Sequence, residues 1–304
     1  MPPSLKEIEF PYYHYYVSPE MIKLIMEEFK GFGKQVPSEP IGEQIFLMKV
    51  DFESQKNYLT LSDYFNHPAR MSSKFLFHPT PSEYFQAHRS EIIKEIGENP
   101  DYEDVDSYIF RNCKICSNFP ITVMKTILEY YKPKSVFDPS AGWGDRILAC
   151  IAAGVPYTGV DPNKKLISGY QKIIETFDLD PDQYKLITSP IEEYTPTGEK
   201  YDMIVTSPPF FDMEKYTDES DQSNVRYKSY DRWKRMFLYP LLRRCYQMVE
   251  KGGRIIIYVN NIKGHSIYED TKFYMTNMKD LEYTGFISWQ NTKYPKKMLV
   301  WVKK

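Results

Sequence analysis

One segment constrains the fold more than any other. Ser135-Val136-Phe137 runs into Asp138-Pro139-Ser140, the glycine turn Ala141-Gly142-Trp143-Gly144 follows, and Ile147, Leu148, Ile151 and Ala152 then recur at helical spacing. A strand that passes through a glycine turn into a helix is the unit of a parallel sheet, because a parallel return needs a crossover about as long as a helix. The unit repeats downstream. Residues 157–160 read as a second strand stopped by Asp161-Pro162-Asn163, with a helix over 164–177. Residues 184–188 and 201–206 read as third and fourth strands, the latter broken by Ser207-Pro208-Pro209. A long helix leads to Gly252-Gly253, residues 254–259 are strongly β-branched, and 283–290 with 298–302 predict a closing hairpin at the sheet edge. Seven strands in this arrangement predict an α/β protein with a doubly wound, Rossmann-like sheet covered by helices on both faces.

The repeat starts near residue 118. Before it, strand-like and helix-like pieces alternate irregularly, so residues 1–117 are expected to form a separate α+β module and residues 118–304 the sheet domain. Within the module, Ser18-Pro19-Glu20 predicts a helix start, with a capping side chain followed by proline in the first turn. A net charge of −2 excludes a polycation, so any nucleic-acid contact requires a local basic face. Four cysteines in 304 residues read as reduced thiols of an intracellular protein and not as a disulfide framework. Cys113-x-x-Cys116 has metal-ligand spacing but no second Cys/His pair, so no metal is expected. The first 30 residues carry no signal-peptide pattern, and no run approaches the roughly 20 apolar residues that a membrane span needs.

Two places carry chemistry. At the first, an acid ends a strand and glycines let the backbone pass close to a ligand before a helix begins. Asp161, ending the next strand, stands near the offset at which a carboxylate grips ribose hydroxyls in dinucleotide folds. Ile147 stands where the dinucleotide fingerprint has its third glycine, which removes the seat for a pyrophosphate and favours a nucleoside cofactor without phosphates. The competing reading is that Asp138 and Asp161 only cap helices. At the second place, Thr206-Ser207-Pro208-Pro209-Phe210, two prolines end a buried strand, withhold two N–H donors and leave carbonyls facing a pocket. That arrangement suits an amine, which brings two N–H donors and one lone pair. With Ser207 Oγ and the Pro208 carbonyl accepting the hydrogens, the lone pair is free to attack, and Phe210 can stack on a flat base. Cys150 and Cys245 lie in no Pro-Cys setting and read as core residues.

Residues 138–146, together with Ser207-Pro208-Pro209-Phe210, resemble motifs of the class I amino-methyltransferases, the family of DNA N4-cytosine and N6-adenine enzymes. Asn118-Phe119-Pro120, with a helix over 123–131, is similar to the motif preceding the glycine turn there. The resemblance implies a seven-stranded methyltransferase sheet and S-adenosylmethionine as cofactor. It places the methionine end over Pro139, Ser140, Ala141, Gly142 and Gly144, near Asp138, Phe119 and Pro120. It gives the ribose to Asp161 and sets Pro162 and Asn163 beside the adenine, with Glu192 a looser candidate for the same base. Ser207, Pro208, Pro209 and Phe210 are the implied catalytic residues. Serine in first position is more typical of the N4-cytosine branch. The implied activity is methyl transfer to an exocyclic amine of a nucleobase, DNA ahead of RNA and cytosine N4 ahead of adenine N6.

Arg226, Lys228, Arg232, Lys234 and Arg235 follow the catalytic turn, with Tyr216, Tyr227, Tyr230 and Trp233 among them. Mixed basic and aromatic residues suit a nucleic-acid backbone with an unstacked base, and Tyr216, Arg226 and Tyr230 are the candidate substrate contacts. Over 234–244 a solvated helix face competes with this reading, and acids over 212–221 count against a continuous phosphate track. Lys293, Lys296 and Lys297 could add contacts from the last hairpin. The resemblance does not extend to residues 1–117, where Tyr12, Tyr13, His14, Tyr15 and Tyr16 form a run; target recognition and a structural cover both remain open for this module. Two other functions compete: methyl transfer to an amine or amide of a protein or small molecule, and a non-catalytic nucleic-acid-binding subunit on the same scaffold.

Overall fold

The computed structural model describes residues 4–10, 17–32, 40–50, 52–290 and 295–304. The run at residues 12–16 and Lys293 lie outside the described residues. Upstream of residue 118 the chain forms α1 (Pro19–Lys30), β1 (Gln44–Lys49), α2 (Phe52–Met71), β2 (Lys74–Phe75), α3 (Pro81–Ile96) and α4 (Tyr102–Asn112). It continues with α5 (Ile121–Tyr131), β3 (Val136–Asp138), α6 (Asp145–Ala153), β4 (Tyr157–Asp161), α7 (Ile167–Thr176), β5 (Tyr184–Thr188) and β6 (Tyr201–Thr206). After the double proline come β7 (Glu214–Lys215), the short α8 (Ser223–Arg226) and α9 (Tyr230–Trp233), and then α10 (Tyr239–Met248). The chain closes with β8 (Val249–Tyr258), α11 (Ile267–Thr276), β9 (Leu281–Gln290) and β10 (Lys296–Lys303).

The main sheet has the order β1-β9-β10-β8-β6-β3-β4-β5, with β10 antiparallel to both neighbours and the other pairs parallel. From β3 the chain winds one way through β4 and β5 and the other way through β6 and β8. The carboxyl ends of β3 and β6 therefore border the crevice where open α/β sheets bind ligands. The Rossmann-like sheet is present, and two features differ from the sequence expectation. The sheet has eight strands: β1 from the N-terminal segment pairs parallel with β9, burying Phe46 and Met48 on alternate positions. Gly285 permits this pairing, since a Cβ there would sit 2.2 Å from the Glu43 carbonyl oxygen. Strand β8 also starts at Val249, so Gly252-Gly253 form an irregularity inside the strand opposite β6.

Apolar layers cover both faces. On one, Leu128, Ile147, Leu148 and Ile173 of α5, α6 and α7 share a core with Ile22 and Met26 of α1 and Leu61 and Phe65 of α2. On the other, Phe137, Ile204 and Ile257 meet Trp233, Leu241 and Leu242 around α10. The segment before residue 118 is thus joined to the sheet by an edge strand and a common core. A satellite cluster around Phe85, Ile92, Val105 and Tyr108 packs α3 on α4.

His67 on α2 is 1% exposed and hydrogen-bonds through Nε2 with the Tyr102 hydroxyl at 3.2 Å. Burial pushes its pKa down from 6.5 to about 4, Asp63 opposing the shift and Arg70 adding to it. Unfolded His67 takes up a proton that the folded chain refuses. Its stabilising contribution is complete above pH 6.5 and is lost as pH falls from 6.5 toward 4, by roughly 3 kcal/mol. Urea midpoints measured from pH 7.5 to 4 should fall less steeply in His67→Phe than in the wild type; parallel curves would show that His67 is not the group responsible.

Candidate active site

Asp138, at the end of β3, is wholly buried and is the most heavily bonded carboxylate near the crevice. It accepts from Arg146 Nε at 2.6 Å, Tyr157 Oη at 2.7 Å, Thr206 Oγ1 at 2.9 Å and the Ser140 N–H at 3.1 Å. Arg146 is buried with it and also donates to the Ser140 carbonyl. Burial alone would lower the Arg146 pKa, but the Asp138 charge overrides it and the guanidinium is held firmly protonated. Asp138 therefore ties β3, β4, β6 and α6 together behind the glycine turn.

The turn lies in front of this hub. The Asp161 carboxylate accepts the Gly142 N–H on Oδ2 and the Asn163 N–H on Oδ1, each at 2.9 Å. Burial raises its pKa, and the two N–H donors oppose the rise. The Tyr170 hydroxyl donates to the Gly142 carbonyl at 2.6 Å, and Asn66 Nδ2 of α2 donates to the Trp143 carbonyl at 2.8 Å. At Gly144, φ is +96° and a Cβ would meet Ile173 Cδ1 at 3.1 Å, so this position needs glycine for the close approach of α7.

A cavity of about 350 Å³ opens over the turn and reaches the double proline. It gathers Phe119, Pro120, Ser140, Gly142, Asp161 and Asn163 with Ser207, Pro208, Pro209, Phe210 and Tyr216 on one wall system. Asp161 ends β4 and Ser207 follows β6 with β3 between, so the two motifs stand two strand spacings apart, about 10 Å across the sheet.

Several expected residues lie elsewhere. Asp138, Pro139, Ala141, Gly144 and Pro162 do not line the cavity; Asp138 supports it from behind, bonded to Arg146. Glu192 does not line the cavity; it accepts from the Tyr227 hydroxyl at 3.1 Å and pairs with Arg226 at 3.4 Å. Arg226 is held by Glu192, Glu193 and Asp221, and these acids consume the charge that a phosphate would need. Tyr230 donates to Asp270 at 2.7 Å and stacks on His265 at 4.2 Å, on the α11 side of the chain.

Other residues also come to the wall. Asp145 accepts from Asn118 Nδ2 and from the Phe119 N–H, both at 3.3 Å, and burial raises its pKa. Glu214 is buried, its pKa also raised by burial, and accepts the Tyr216 hydroxyl at 2.6 Å and the Ser117 N–H at 3.1 Å. Tyr258 and Trp289 continue the aromatic side from Phe210, with ring centroids 5.6 Å and then 4.6 Å apart, and Lys296 and Asn260 stand beside them. For Tyr258, Asn260 and Trp289 the signal that could have found them is their place near strand ends, which needs the strand order.

No family model and no curated protein matches the chain. Among solved structures, TrmN from Thermus thermophilus is similar at TM-score 0.46 and 12% identity, over 61% of this chain and 49% of that one. Magnesium protoporphyrin IX methyltransferase from Synechocystis PCC 6803 with bound SAM is similar at 0.43 and 13%, over 73% and 94%. The T. thermophilus 16S rRNA N2 G1207 methyltransferase, in complex with AdoMet and guanosine, is similar at 0.41 and 15%, over 62% and 44%. This chain thus spans about half the length of TrmN. Among the described residues no helix is long and apolar enough to cross a membrane, and no group of three His, Cys, Asp or Glu could hold a metal ion.

Arg146→Met would strand the buried Asp138 charge and should cost about 3–5 kcal/mol. Combining it with Asp138→Asn removes that charge and should recover part of the loss in urea unfolding. Strictly additive losses would show that the two residues do not act as a pair.

Proposed function

We propose that this chain transfers a methyl group from S-adenosylmethionine to an exocyclic amine of a nucleobase, DNA ahead of RNA and cytosine N4 ahead of adenine N6. The observation that carries the proposal is a single cavity shared by the Asp161–glycine turn and the Ser207-Pro208-Pro209-Phe210 turn. The residues fit the cofactor. Each Asp161 oxygen accepts one backbone N–H and keeps a lone pair for a ribose hydroxyl, while the Gly142 backbone faces the cavity without a side chain. Asn163 and Leu166 would flank the adenine, and Asn118, Phe119 and Asp145 would meet the amino-acid end. When bound, the cofactor supplies a methyl group activated on a sulfonium.

The rest of the chemistry belongs to the chain. Ser207 Oγ and the Pro208 carbonyl accept the two amine hydrogens and so leave the nitrogen lone pair pointing at the methyl position. Phe210 and Tyr258 hold the plane of the base. Preorganised acceptors and a fixed base lower the barrier without a covalent intermediate. The amine proton leaves to Ser207, to a backbone carbonyl or to water.

One observation favours a second reading, transfer to an amine or amide of a protein or small molecule. Among the described residues, the cavity carries two cations, Arg146 and Lys296, and Arg146 is neutralised by Asp138. Labelled methyl transfer to duplex DNA, single-stranded DNA, total RNA and protein separates the two. Label in a nucleobase amine supports the first reading; label in protein alone, or in no polymer despite tight cofactor binding, supports the second or an inactive scaffold. Ser207→Ala should lower kcat roughly 10- to 100-fold with cofactor affinity retained, whereas Asp161→Ala should weaken cofactor binding by a similar factor. Because burial raises the Asp161 pKa, cofactor affinity should begin to fall, as pH drops, earlier than an ordinary carboxylate would require.

A further inference from the structure

Two donors on the cavity wall have no acceptor among the described residues. Trp289 on β9 and Lys296 on β10 are directly opposed in the antiparallel ladder, so their side chains leave the same face of the sheet. Both line the cavity, next to Tyr258. Trp289 is fully buried, and its indole Nε1–H has no hydrogen-bond partner. Lys296 is half-buried and makes no ion pair or hydrogen bond with any described residue, and burial depresses its pKa. Arg146, the other cation on this wall, is by contrast matched to Asp138. A buried donor left unpaired, as at Trp289, costs about 1–3 kcal/mol. The Lys296 ammonium beside it is partly exposed and keeps water, so the two together mark a place where acceptors can come with the substrate.

We infer that Trp289 and Lys296 form a donor pair for the acceptor edge of the methyl-accepting base, and that this edge is the N3–O2 edge of cytosine. The inference rests on the nucleobase reading above. The double-proline turn offers acceptors for an amine, and the Trp289–Lys296 pair offers donors beyond the aromatic ring of Tyr258. A matching base must therefore present an amine followed along one edge by acceptors. In cytosine the N4 amine is followed by N3 and then by the O2 carbonyl. In adenine, N1 follows the amine but the next position is a C–H, which neither donor can bond. In guanine the N1–H beside the amine is itself a donor. Only cytosine meets two donors with two acceptors.

The test uses the full chain with DNA and RNA oligonucleotides in which cytosine, adenine or guanine is the sole amine-bearing base. Wild type, Lys296→Met, Lys296→Arg and Trp289→Phe are compared for kcat/KM and cofactor affinity. The expected product is N4-methylcytosine. Lys296→Met should lower kcat/KM on cytosine roughly 10- to 100-fold with cofactor affinity unchanged, and Lys296→Arg should restore part of the loss. Replacing the target by 2-thiocytosine, a weaker acceptor, should cost the wild type more than it costs Lys296→Met. Methylation of adenine or guanine instead, or cytosine methylation indifferent to both Lys296→Met and Trp289→Phe, overturns this inference while nucleobase methyl transfer stands. Label in no base overturns both.

Discussion

The buried Asp138 carboxylate is the interaction on which the rest of the site depends. Its bonds to Arg146, Tyr157, Thr206 and the Ser140 N–H reach one helix and two neighbouring strands from the end of a third. A charge with no solvent exposure is tolerable only when nearly all its lone pairs are used, so this geometry permits little sliding of β3 against β4 or β6. Thr206 immediately precedes Ser207, and Ser140 immediately precedes the glycine turn. One anion thus sets the positions of both loops that border the cavity, although it does not itself line it.

The segment before residue 118 contributes to the same rigidity. Asn66 of α2 holds the Trp143 carbonyl, and Gly169 lets α7 lie against α2, since a Cβ there would fall 2.0 Å from Asn66 Oδ1. Asn118 spans Ser62 of α2 and Asp145 of α6. These contacts brace the glycine turn from outside the sheet. The segment also shares the apolar core of one sheet face.

What the sequence made legible was local. The strand–acid–glycine–helix unit and the double proline are contiguous, and their spacing along a doubly wound sheet is enough to bring Asp161 and Ser207 to one crevice. Arg226, Tyr230 and Glu192 stand outside the cavity for a common reason. Their residue types suit a ligand, but nearby carboxylates and hydroxyls, invisible in one dimension, satisfy them first. Tyr258 and Trp289 were missed because each is unremarkable in its own segment. Only the strand order brings them beside Phe210. The strand β1 was missed because six residues between weakly patterned stretches carry little signal, and its partner lies far along the chain.

That distance has a kinetic consequence. Ser288 of β9 donates to Gln44 of β1 across 244 positions. During synthesis β1 emerges first and must wait, with Phe46 and Met48 uncovered, until β9 has left the ribosome. Pairings of such high contact order form late and slowly, because the loop they close must lose its entropy before any contact rewards it. The β1–β9 edge therefore closes the longest loop of any pairing in the main sheet and carries the largest entropic cost of closure.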